Sequence, residues 1–228
     1  LGYTLDYLWL REPDMNVARF QQILDHRRIH GLVLAPLDDP REDYELDWSR
    51  FVAVAIGLSL GRPRLPRVLH DNYRAMLAVL AELEALGVRR VGLCLAAESD
   101  ERTLGMWTGA YLATGRRRPG WCAPPLIAPG FNARDFSAWR RAERVEAVIS
   151  VHPVLPLLQA VLRKTRVKLV SLNLNGADET TPGIYQEPRI LGAAAVERVV
   201  DLLHRGGRSA AVERADELLH LGRWRPGA

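Results

Sequence analysis

Lysine is nearly absent from this chain of 228 residues: only Lys164 and Lys168 occur, so the formal net charge of +4 is carried by arginine. A surplus that small does not by itself mark a polyanion-binding surface, and the clusters Arg116-Arg117-Arg118 and Arg140-Arg141 read first as solvated helix ends. Cysteine is scarce as well. Cys94 lies in the apolar run GLCLA and Cys122 in PGWCAPP, neither with a near CxxC or Cys/His partner, which excludes the usual zinc spacing and leaves no metal site to propose. A single disulfide stays open from sequence, but a reducing cytoplasm is the simpler reading. No apolar run approaches the roughly 18 to 20 residues that span a bilayer, and LGYTLDYLWLREPD lacks a basic leader followed by a small-residue cleavage site. Cytoplasmic placement with no membrane partner is therefore expected. There is no GxGxxG or GxxxxGK[ST] after a strand and no HExxH, and the neighbouring carboxylates Asp100 and Glu101 would diverge on a helix. No catalytic residue, no cofactor and no enzymatic activity are expected.

With 48% hydrophobic and 25% charged residues the chain has the composition of a globular protein with a substantial core. Strand-like apolar runs alternate with helix-like periodic segments, the signature of parallel sheets built from crossover units. The pattern predicts strands over Tyr3–Leu10, 31–36, Phe51–Ile56, up to Leu69, Val91–Ala96, Leu126–Ala128, Ala147–Val151, Val167–Leu172 and Glu217–Trp224. Between them it predicts helices. One carries Val17, Phe20, Ile23 and Leu24 on one face; another carries Ala75, Met76, Val79, Leu80, Leu83 and Leu86, with Asp71 or Asn72 as N-cap and Gly87 as terminator. Others are predicted over Glu101–Thr114, Ala133–Arg144 with Asn132 as cap, Pro153–Lys164, and Ile190–His204 closed by Gly206-Gly207.

Ligands of open parallel sheets bind beyond the carboxyl ends of the strands, so the polar residues there form the candidate site. They are His70, Asp71 and Asn72; Glu98, Asp100 and Arg102; His152; and Asn173 with Asn175. Mixed donors and acceptors of this kind suit a polar small molecule such as a sugar, although each residue alone also serves as a cap or turn. Trp107 and Tyr185 are the aromatics nearest these ends. Trp107 shares an apolar helix face with Leu104 and Tyr111, which favours core packing for it.

Six segments in order carry a resemblance. RVLHDNYRAMLAVLAELEALGVRRVGLCLA resembles the effector-binding core of the lactose/galactose-repressor (LacI/GalR) family of bacterial transcription regulators, in which a V..DN element leads into a helix, an LG[HY]RRIG turn and a buried strand. RIHGLVLAPL resembles that family's R.DGIIL strand, ERTLGMWTGAYLATG its R..G...AL helix, and VEAVISVHPVLPLLQAVLRK its DAVF...D..A.G...AL unit. IYQEPRILGAAAVERVVDLLHRGGR resembles its V.Q....G..AV..LL crossover, and ELLHLGRW its closing strand, without the usual Ser.

The resemblance implies an α/β fold of two Rossmann-like parallel-sheet subdomains of the periplasmic-binding-protein type I, with an effector in the cleft between them. It implies passages between subdomains near Leu86–Val91, Tyr185–Arg189 and Gly206–Ala211, hence an N-terminal subdomain of residues 1–88 and 189–208 and a C-terminal one of 89–188 and 209–228. Gly2-Tyr3-Thr4-Leu5 corresponds to the family's second strand, so the first strand and helix are expected to be missing, along with the helix-turn-helix headpiece that binds operator DNA as a homodimer. Two departures touch the ligand. Met106 stands where the family commonly places an effector-binding Arg, with Arg102 one turn earlier, and Asn173 stands where it has Asp, so the pocket loses a guanidinium and a carboxylate. The candidate contacts are His70, Asp71, Asn72, Arg102, Met106, His152 and Asn173, in an effector-sensing, dimerising domain of a transcription regulator. The rival reading is a periplasmic sugar-binding protein of a transporter, which shares the fold.

Overall fold

A strand written VAVAI over Val52–Ile56 (β2) shows why the apolar runs are unbroken: it is buried on both faces. Val52 and Val54 point one way, against Leu191, Ala195 and Val199, while Ala53 and Ala55 point the other, against Phe20 and Leu24. This structure is a computed structural model, and it describes residues 2–10, 12–37, 46–130, 132–174, 180–206 and 215–227. Its first sheet has four parallel strands in the order β1-β2-β3-β9, where β1 is Gly31–Leu34, β3 Arg67–His70 and β9 Glu217–His220. Helix α1 (Val17–His26) covers one face, capped by Asn16 Oδ1 accepting from the Arg19 amide at 2.9 Å. Helix α7 (Pro188–His204) covers the other.

The second sheet has six strands in the order β10-β8-β7-β6-β4-β5. They are β4 Val91–Ala96, β5 Leu126–Ala128, β6 Ala147–Ser150, β7 Lys168–Ser171, β8 Gly183–Tyr185 and β10 Arg223–Arg225, all parallel except β10, which runs antiparallel to β8. On one face Val91, Leu93, Leu95, Ile149 and Val170 pack with α2 (Asn72–Ala85) and α4 (Met106–Arg117). On the other, Cys94 and Val148 pack with Phe136 of α5 (Ala133–Glu143) and Leu158 of α6 (Leu155–Leu162). Gly92 faces this second layer because a Cβ there would lie 2.4 Å from the Trp139 ring. At roughly 1.5 to 3 kcal/mol per fully buried Leu, Val or Ile, these four layers supply the stabilisation that opposes the entropy of ordering the chain.

The chain passes between the sheets three times. β3 ends at His70 and α2, which starts two residues later, joins the core of the second sheet. β8 ends at Tyr185 and α7 returns to the first sheet. β9 ends at His220 in the first sheet and β10 begins at Arg223 in the second. The passages expected near 86–91 and 206–211 thus fall instead at 70–72 and 221–222, because the stripe Ala75, Met76, Val79, Leu80 and Leu83 fits against α4 and not against the first sheet. Gly207–Ala211 lie outside the described residues.

Three expected elements differ. Tyr3–Leu10 forms no strand: residues 2–9 join no ladder, and only Leu8 and Leu10 dock on the first core while Tyr3, Leu5, Tyr7 and Trp9 are exposed, Tyr7 to 89%. Alternation makes a strand only where a neighbour supplies hydrogen bonds, and β1 pairs only with β2 among the described residues. The helix expected over Glu101–Thr114 is two, α3 (Ala97–Arg102) and α4, divided where Leu104 and Gly105 take φ of 52° and 66°. The expected strand Glu217–Trp224 bends at Leu221-Gly222 into β9 and β10.

Candidate functional site

The carboxyl ends of both sheets meet at the passages. His70, last in β3, accepts a hydrogen bond on Nε2 from the Gly222 amide at 3.1 Å, and a Cβ on Gly222 would lie 2.6 Å from both that nitrogen and the carbonyl oxygen of Tyr185, last in β8. The carboxyl ends of β3 and β8 are therefore joined through the β9–β10 bend, on the side of the sheets where ligands of open parallel sheets bind.

On the first side, His70 is 5% exposed. Burial pushes its imidazole down to about 4, with the nearby His220 adding to the fall and Asn72 and Asp71 opposing it. Because Nε2 accepts from Gly222, the proton of the neutral ring sits on Nδ1, which is buried beside Asn72 but makes no well-aligned hydrogen bond among the described residues. Asp71 caps α2, accepting from the Arg74 amide at 2.9 Å, and its own amide donates to His220 O at 2.9 Å. Asn72 opens α2 and is buried.

On the second side, Arg102 ends α3 half-buried, with no ion pair among the described residues, and Met106 opens α4, also half-buried. Asp100 is engaged within this turn, accepting from Thr108 Oγ1 at 2.6 Å. Trp107 is 5% exposed in the core that contains Val151 and Leu172, yet its Nε1 has no acceptor. His152 follows β6 and is exposed. Asn173 follows β7, held by a backbone loop in which Ser171 Oγ donates to Asn173 O at 2.9 Å and receives the Asn173 amide at 3.1 Å; its Oδ1 is buried and unpartnered. Asn175 lies outside the described residues. His70 Nδ1–H after β3, Asn173 Oδ1 after β7 and Trp107 Nε1–H in α4, like Arg140 Nε in α5, are thus buried polar groups left unsatisfied among the described residues. Each such group costs about 1 to 3 kcal/mol when buried unpaired.

Sequence reasoning missed the residues that tie the passages together: Glu187, His220 and Gly222. Only the Gly in the closing strand and the acid before Pro188 hinted at them. It also passed over Gly57-Leu58-Ser59-Leu60-Gly61, which has the G-x-S-x-G spacing of hydrolase nucleophiles. Here Ser59 is buried in a loop with no helix after it, and its Oγ receives the Leu37 amide at 2.7 Å, so it ties two loops together. No cluster of three or more His, Cys, Asp or Glu able to hold a metal occurs among the described residues, and no described helix is long and apolar enough to cross a membrane. A groove of about 840 Å³ lined by Pro156, Arg163, Leu169 and Pro182 lies along α6 toward the amino ends of β7 and β8, opposite the strand ends of interest.

No family model matches the chain, and no curated protein matches it by sequence. Solved structures do resemble it. A protein assigned as a ribose operon repressor of Burkholderia thailandensis shares 23% identity at a TM-score of 0.63, over 92% of this chain and 83% of that one. A periplasmic binding protein/LacI transcriptional regulator of Alkaliphilus metalliredigens, complexed with D-xylulofuranose, shares 12% at 0.64 over 92% and 82%. The transcriptional regulator CelR in complex with cellobiose shares 18% at 0.59 over 92% and 70%. At these identities the likeness is one of fold: two parallel-sheet α/β lobes of the periplasmic-binding-protein type found in LacI-type regulator cores.

Proposed function

We propose that this chain is the effector-sensing core of a bacterial transcription regulator of the LacI/GalR type, without enzymatic activity, taking a small sugar-like metabolite between its two lobes. The observation that carries the reading is the joining of the carboxyl ends of β3, β8 and β9 through His70, Tyr185 and Gly222, with His70 Nδ1 after β3 and Asn173 Oδ1 after β7 as buried polar atoms that a polyhydroxylated ligand could satisfy. Structures of like fold that hold D-xylulofuranose and cellobiose support the ligand class. His70, Asp71, Asn72, Arg102, Met106, His152 and Asn173 are the proposed contacts, and His70 and Asp71, tied into the passages, would in addition sense the angle between lobes.

In the intact protein a cytoplasmic homodimer would present a helix-turn-helix domain to operator DNA. An effector would change occupancy by binding one lobe arrangement better than another, by a coupling of about 1 to 3 kcal/mol. The test is a thermal-shift screen against pentoses, hexoses, disaccharides, sugar acids, nucleobases and amino acids. A sugar that raises the Tm by several degrees and is recovered unchanged supports a sensor. A hit that is consumed would mean an enzyme, and hits confined to nucleobases or amino acids would overturn the ligand class.

A further inference from the structure

We propose that Glu187 is an ionic clasp that fastens the second passage to the third and so sets the angle between the two sheets. Glu187 follows β8 and stands before the first residue of α7, with φ 53° and ψ 59°, a left-handed conformation that a residue with a Cβ seldom takes. Something must hold it there, and its side chain, only 10% exposed, reaches two partners. Oε1 meets Arg223 Nη2 at 2.6 Å and Oε2 meets His220 Nε2 at 3.1 Å. Both partners belong to the β9–β10 bend, one on the last residue of β9 and the other on the first of β10, so one carboxylate grips the bend on either side of Gly222.

The first passage is tied to the same bend by uncharged bonds, Gly222 N–H to His70 Nε2 and Asp71 N–H to His220 O. The bend is thus the common anchor of all three connections, and among the described residues only its link to the second passage is ionic. A charge pair with one partner as exposed as Arg223, whose side chain is 70% accessible, can open without disturbing either core. Around the clasp the charged and titratable neighbours are His70, Asp71, His220 and Arg223, with Arg225 engaged separately over the Tyr185 ring at 3.7 Å.

Amide hydrogen exchange on the full chain tests it with two variants. E187N places a residue type at ease in the left-handed region while removing the charge and one methylene; R223Q removes one partner from the surface. With either, the Gly222 and Asp71 amides should exchange faster, by about tenfold for E187N, while Val54 and Ile149 at the centres of the two sheets stay within about twofold. Unchanged exchange at Gly222 and Asp71 in E187N would show that only the backbone conformation matters and overturn the clasp. A uniform rise across both sheets would overturn it too, by making Glu187 a general stabiliser. Should E187N not fold, R223Q decides by the same amides.

Discussion

His70 is the residue whose chemistry the fold changes most. Folded, its imidazole titrates at about 4 against the usual 6.5, so between those values the unfolded chain takes up a proton that the folded chain refuses. Its contribution is intact above pH 6.5 and is lost as pH falls toward 4, to a total of about 3 kcal/mol. The Tm should therefore fall more steeply from pH 6.5 to 4.5 in the native chain than in H70Q, whose amide oxygen can still accept from Gly222. Parallel curves would remove His70 from the acid sensitivity. The sequence showed that His70, Asp71 and Asn72 end a strand and start a helix, and Asp71 does cap α2. It did not show that His70 turns inward to the bend, since its partner Gly222 lies 152 residues on and no local pattern encodes that contact. Asn173 was legible as a strand-end polar residue, whereas its unpartnered oxygen is a fact of packing alone.

Elements were legible where periodicity alone decides them. The stripes of α1 and α2 and the apolar runs of β2, β4 and β6 need only one buried face or two, which the sequence displays directly. The short β8 and the break between α3 and α4 were not. Three residues are too few for a period, and the break rests on φ values at Leu104 and Gly105 that sequence states only weakly. The two bend and helix glycines yield opposite predictions. G222A drives a Cβ to 2.6 Å from His70 Nε2 and from Tyr185 O, the latter backbone, and should cost about 2 kcal/mol or more. G192A, inside α7 with nothing within 4 Å of its new Cβ, should gain about 0.5 to 1 kcal/mol from helix propensity. Denaturant melts of the two variants check both signs, and a neutral G222A would mean that the β9–β10 bend is loose.

At the scale of the molecule, a parallel sheet and a second that is parallel but for β10 share one chain and come together at their carboxyl ends, an arrangement that many chemistries use. The alternation of strands and helices disclosed the class, and six ordered motifs disclosed the kind of core. The passages between lobes were harder, because α2 reads as an amphipathic helix whichever sheet it covers; the shape of its partner α4 decides. A sugar held between the lobes would satisfy buried polar atoms such as Asn173 Oδ1. Calorimetric titration of the strongest-shifting sugar into the native chain and into N173A tests it most directly. N173A should weaken binding about tenfold, the worth of one hydrogen bond, with its Tm within a few degrees of the native value. Equal affinity in the two proteins, or no heat with any sugar from a chain that melts cooperatively, would contradict it.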